Sequence, residues 1–82
     1  MKITVDETVT EVTDGAEETD TVVRFGTGGV RMIVGNPSGR TYLDATPVSA
    51  GQIIIVPAGV ITSAIMPTGK VGAVWKEEGF SA

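Results

Sequence analysis

The sequence predicts an all-β domain, and three observations carry that prediction. Twelve Val, seven Ile and eleven Thr form a strand former's alphabet. Eleven Gly and four Pro punctuate it, and one turn form, x-Pro-x-Gly, occurs three times, as Asn36-Pro37-Ser38-Gly39, Val56-Pro57-Ala58-Gly59 and Met66-Pro67-Thr68-Gly69. The runs flanking these turns are β-branched or aromatic and of strand length. Eighty-two residues make one domain, and a chain this short buries only about 60–65% of its unfolded surface, so the core is thin. The expected architecture is a small antiparallel β-sandwich or jelly-roll-like barrel of six to seven short strands, with an N-terminal arm.

Residues 1–20 are read as that arm. They hold seven acids against Lys2, a net −6, whereas residues 21–82 carry five cations and three acids, a net +2, which together give the chain's −4. Such a segment is either a solvated face or a strap that lies on a neighbouring copy. Gly15–Asp20 is the only stretch able to turn helically, and it is too short to nucleate alone.

Residues 21–82 are read as the sandwich. Thr21–Phe25 is its first strand, and Gly26-Thr27-Gly28-Gly29 connects it to Val30–Val34. A phosphate-cradling loop would need a helix behind it, and a strand follows instead. Arg40–Asp44, Gln52–Val56, Val60–Met66 and Lys70–Lys76 complete the set. Proline at the second turn position and glycine at the fourth fit a type I turn with a G1 bulge, which places Pro37/Gly39, Pro57/Gly59 and Pro67/Gly69 at hairpin tips. The loop 45–51 is long enough to cross between sheets. In the last strand Val71, Ala73 and Trp75 share one face and Gly72, Val74 and Lys76 the other, so Trp75 meets either the core or an interface.

The absent residue types exclude much chemistry. With no His and no Cys, no Ser-His or Cys-His nucleophile pair, no disulfide and no cysteine zinc site can be built. Asp14, Glu17, Glu18 and Asp20 lack the alternating-oxygen spacing of a calcium loop. A carboxylate pair for glycoside hydrolysis would need a cleft that two thin sheets do not offer. The chain is therefore read as non-enzymatic, with no cofactor and no metal. Arg24, Arg31 and Arg40 with Phe25 and Tyr42 as stacking platforms would suit single-stranded nucleic acid, but a net charge of −4 repels phosphates. No run reaches the ~18 apolar residues of a membrane span, and no basic-then-apolar start suggests a signal peptide. Neither nucleic acid nor a membrane is an expected partner.

Gln52-Ile53-Ile54-Ile55-Val56 is apolar on both faces, the mark of a central strand or of one covered by another chain, and Val60–Met66 is similarly mixed. Mean hydropathy is positive, and two such strands are hard to bury in a small monomer. A homo-oligomer is expected, with a trimer the favoured closed ring. Its interface is placed on Ile53, Ile54, Ile55, Val60, Ile61, Ile65 and Trp75.

From Val30 onward the order of an apolar strand, Asn36-Pro37-Ser38-Gly39, Arg40-Thr41-Tyr42-Leu43, a loop ending at Gly51, the Gln52–Val56 run, Pro57-Ala58-Gly59 and the closing Val74-Trp75-Lys76-Glu77 resembles small β-sandwich structural proteins of tailed bacteriophages. The resemblance implies a capsid decoration or cement protein that works without catalysis through multivalent protein contacts. Its partners would be itself and a larger virion protein such as the major capsid protein, and its location the virion, assembled in the host cytoplasm. A glycan- or host-surface-binding module of a tail, fibre or spike is the alternative.

Overall fold

The computed structural model describes residues 1–80, and the side chains of residues 1–77. Eight strands run β1 Lys2–Val5, β2 Thr10–Asp14, β3 Asp20–Phe25, β4 Arg31–Val34, β5 Thr46–Pro47, β6 Ile53–Val56, β7 Ile61–Ile65 and β8 Gly72–Phe80. They form two four-stranded sheets, β1-β8-β3-β6 (sheet A) and β2-β7-β4-β5 (sheet B), with every pairing antiparallel. Strand 1 pairs with 8, 2 with 7, 3 with 6 and 4 with 5, and successive pairs fall on alternate sheets. This is a long hairpin rolled up on itself, the jelly-roll topology.

The all-β sandwich expected from composition is present, with eight strands where six to seven were expected. Residues 1–20 do not form an arm. The alternations Ile3/Val5 and Thr10/Val12 point inward, so β1 joins sheet A and β2 joins sheet B. Arg40–Asp44 is no strand either. Its Tyr42–Asp44 part is a single 3-10 turn, closed where the Asp44 carboxylate accepts from Thr41 N–H and Oγ1, both at 3.1 Å.

The three x-Pro-x-Gly turns form at the expected places but join different elements. Arg40, Val60 and Lys70 N–H donate to the carbonyls of Pro37, Pro57 and Pro67, so proline is the first turn residue and glycine the third. Gly39, Gly59 and Gly69 have φ of +74°, +83° and +78°, while among the described residues no other residue type has positive φ. The turns are therefore type II, whose third position favours glycine. Pro57/Gly59 links β6 to β7 and Pro67/Gly69 links β7 to β8, each an arch from one sheet to the other rather than a hairpin tip. Pro37/Gly39 opens the long β4 to β5 connection. The loop after β5 does cross between sheets, as its length suggested.

The core lies between the sheets. Val5, Val23, Phe25, Val56 and Val74 from sheet A meet Val12, Val30, Val48, Ala64 and Met66, each large side chain contributing about 1.5–3 kcal/mol when fully buried. In β2 the register slips between Glu11 and Thr13, so Val12 and Thr13 are both buried. Thr13 Oγ1 donates to Val60 O at 2.8 Å and accepts from Thr62 N–H at 3.0 Å, replacing a ladder bond lost at the bulge.

The two outer faces differ. Over sheet B, Ile33, Ile65 and Ala45 form a second small core with Val9 and Tyr42 packed on it. The 36–45 connection is tied down there. Arg31 Nη1 donates to Tyr42 O at 3.0 Å with its guanidinium 4.2 Å from the ring centroid, Tyr42 Oη donates to Gly29 O at 3.0 Å, and Arg40 Nη2 donates to Asp44 O at 3.0 Å. Sheet A has no such cover among the described residues.

Candidate interaction surface

Strand parity decides what the bare face of sheet A displays. Lys2 on β1 lies opposite Trp75 on β8, Trp75 opposite Arg24 on β3, and Arg24 opposite Ile53 on β6. One cross-strand row therefore reads Lys2, Trp75, Arg24, Ile53. The next reads Glu77, Val22, Ile55. A groove of about 440 Å³ runs over these rows, with Met1, Val22, Arg24, Ile53, Trp75, Lys76 and Glu77 in its walls. Ile53 is 61% and Ile55 47% exposed, Met1 is also exposed, and Trp75 is half-buried.

Trp75 is held in place. The Arg24 guanidinium sits 4.5 Å and Lys2 Nζ 5.9 Å from its ring centroid, arrangements worth roughly 0.5–1 kcal/mol each at exposed sites. Its six-membered ring lies against Gly26, where an added Cβ would come within 2.0 Å of Cζ3. Glycine at 26 is needed for the close approach of the ring. Gly26→Ala is expected to force the indole off this seat while leaving the sheets intact. Tryptophan emission should shift to the red and acrylamide quenching should rise with an unchanged far-ultraviolet circular dichroism spectrum; unchanged emission would refute this packing.

The interface residues read from sequence divide by face. Ile53, Ile55 and Trp75 come together on outer sheet A. Ile61 is exposed on sheet B. Ile54 and Val60, each half-buried, pack against the inter-sheet core, and Ile65 is buried beneath the 36–45 connection, so these three do not belong to the outer face of sheet A. Nor is Gln52–Val56 central: β6 is an edge strand, and its second apolar face is Ile53 and Ile55 in the open. Strand parity in Thr21–Phe25 was enough to add Val22 and Arg24 to the face. Lys2 was missed because its strand was read as an arm. Leu43, 85% exposed, carries no sequence signal of its position. It borders a second groove of about 650 Å³, between the 3-10 turn and the Pro67 arch.

Three of the four acids between residues 14 and 20 are engaged by main chain. Asp14 Oδ1 accepts from Ala16 N–H, Glu17 from Asp14 and Gly15 N–H, and Asp20 Oδ1 from Ala58 N–H. The Ala16 bond is the main cause holding the Asp14 carboxyl below the ordinary aspartate range, with Glu17 and then the charge of Lys76 adding to it. Among the described residues no three acids gather in a group able to hold a metal ion. Phe25 is fully buried, and Arg31 and Arg40 are bound to main-chain carbonyls; Arg24 is on the opposite sheet, so the three arginines do not line one face.

Comparison with protein-family models, with curated proteins and with solved structures finds no match for this chain. The class that fold and surface define is a single jelly roll with one face covered by its own chain and one bare, apolar face bearing a cation-flanked tryptophan. Jelly rolls serve in viral capsids, lectins and enzymes alike, so the topology leaves the role to the surface.

Proposed function

We propose that this chain is a non-enzymatic structural protein of a bacteriophage virion, a capsid decoration or cement protein that acts through repeated protein contacts made by the outer face of sheet A. The observation that carries this reading is the asymmetry of the two sheets. A small chain that covers one outer face with its own connection yet leaves Ile53, Ile55 and Val22 beside Trp75 on the other retains apolar surface suited to a protein partner. Each contact is small, and many copies on a lattice supply the strength. The resemblance of residues 30–79 to phage sandwich proteins supports the same setting.

A glycan- or host-surface-binding module is the second reading, favoured by a tryptophan on an open sheet face. Against it, Trp75 already has Arg24 stacked at 4.5 Å and Gly26 beneath it, which takes ring surface that a sugar would use. A quantitative gel of purified particles separates the two. A decoration protein is expected in tens to hundreds of copies per particle, in proportion to the major capsid protein. Presence in only a few copies, with binding to a glycan array, would favour the module, and absence from particles would refute the structural role.

A further inference from the structure

The bare face of sheet A ends in a bare edge. Phe25 N–H donates to Gln52 O at 2.9 Å, and antiparallel ladders alternate bonded and non-bonded pairs. Along the β3/β6 register the bonded pairs are then Val23·Ile54 and Thr21·Val56. The N–H and C=O groups of Ile53 and Ile55 point the other way, where no described residue meets them.

The molecule's other edges carry devices that discourage strand addition. β1 carries Lys2, β2 has Glu11, Asp14 and a bulge, and β5 is two residues long with Pro47. β6 has no charge, no proline and no bulge: its sequence is Ile-Ile-Ile-Val, in unbroken register with β3. We propose that β6 pairs antiparallel with β6 of a second copy about a two-fold axis at Ile54, extending sheet A to eight strands. The inference deepens the proposed function and rests on its assignment of sheet A as the contact face.

A second copy is favoured over a foreign strand because the edge is self-complementary. With the axis at Ile54, Ile53 meets Ile55 of the partner copy, and four hydrogen bonds satisfy all eight exposed groups at once. The Ile53 and Ile55 side chains of both copies then gather on the outer face, between the two copies' Val22. Charge does not oppose it. The two Arg24 residues are three strand spacings apart and offset by two residues along the strand, more than about 14 Å, beyond the ~8 Å screening length of physiological salt. Both Trp75 face the same side, so the pair presents two copies of the docking face to a common surface.

Four residues per strand bury far less than the ~1,200–2,000 Å² of a standard interface, so the dimer is weak. Sedimentation equilibrium from 10 μM to 1 mM, with amide hydrogen exchange across the same range, tests it. Protection of the Ile53 and Ile55 amides is expected to rise at least tenfold with concentration, whereas Ile54 and Val56 are protected throughout. Ile55→Lys should weaken the dimer at least tenfold, and Leu43→Lys should leave it unchanged. A monomer at 1 mM, unprotected amides at 53 and 55, or a dimer lost in Leu43→Lys but kept in Ile55→Lys would each overturn the edge pairing. Particle loading is scored separately: a wild type that dimerises through β6 but never loads onto particles refutes the virion role and leaves the pairing standing.

Discussion

Phe25→Ala is expected to leave the chain unfolded or barely folded at 37 °C. Phe25 is fully buried, it lies in the inter-sheet core, and its backbone accepts from Gly51 and donates to Gln52 where β6 begins. Truncating a buried phenylalanine costs about 3–5 kcal/mol, the lost transfer energy plus the cavity left behind. At roughly 0.05–0.15 kcal/mol per residue the whole domain has only about 4–12 kcal/mol, so one side chain accounts for a large share of it. With a shift of about 4–8 °C per kcal/mol, thermal unfolding should move down by at least about 12 °C. Phe25→Leu should recover most of that, and Leu43→Ala, at an 85% exposed position, should stay within about 0.5 kcal/mol of wild type. The measurement belongs at low micromolar concentration, where self-association adds nothing to the apparent stability. A Phe25→Ala midpoint within 5 °C of wild type would place the core elsewhere.

That Phe25 is a core residue was not evident from its sequence neighbourhood. It adjoins Gly26-Thr27-Gly28-Gly29, and beside Arg24 its ring equally suits a stacking platform for nucleic acid. What places it inside is parity: Thr21, Val23 and Phe25 share the inward face of β3 once Val22 and Arg24 point out. The same rule did place Trp75 and Val74 on opposite faces. Parity is local and can be read from a run of five residues, which is why the fold class and most strand positions were legible.

Partner choice is not local. The three type II turns have the residues of tight connections, yet the same turn serves an arch between sheets as well as a hairpin within one. Only long-range pairing, β3 with β6 and with β8, decides between them. Charge also misled. Seven acids among twenty residues look like a solvated arm, but Glu11 and Glu18 are exposed while Val5 and Val12 between and before them are buried, the half-buried alternation of a strand under a charged coat. The candidate face was partly visible for the same reason. Ile53, Ile55 and Trp75 were named from apolar excess, but Ile54, Val60 and Ile65 were named with them, because an excess does not tell which side of a strand is already covered. The cover of sheet B depends on Arg31 stacking on Tyr42, a contact between residues eleven apart that no periodicity announces.

Thr13→Val is expected to be nearly as damaging as a core truncation, although it keeps shape and adds no charge. The bulge in β2 turns Val12 and Thr13 inward together and breaks the ladder to β7 at that point. Thr13 has one hydroxyl hydrogen, which goes to Val60 O at 2.8 Å, so the Thr62 hydroxyl 2.8 Å away donates to Thr13, as does Thr62 N–H at 3.0 Å. All three hydrogen-bonding positions of one buried hydroxyl are filled. Valine offers none of them and strands the Thr62 N–H and the Val60 carbonyl, at about 1–3 kcal/mol for each group left unsatisfied. A loss of about 2–6 kcal/mol follows, a fall of at least about 8 °C in the midpoint. Thr13→Ser keeps the hydroxyl and should lose no more than about 1.5 kcal/mol, for one methyl. Because Thr62 belongs to the same network, Thr62→Val should cost less in the Thr13→Val background than alone, and a double-mutant cycle reads that coupling. If Thr13→Val and Thr13→Ser unfold at the same temperature, the hydroxyl does not close the ladder at the bulge, and the two inward residues are held by apolar packing alone.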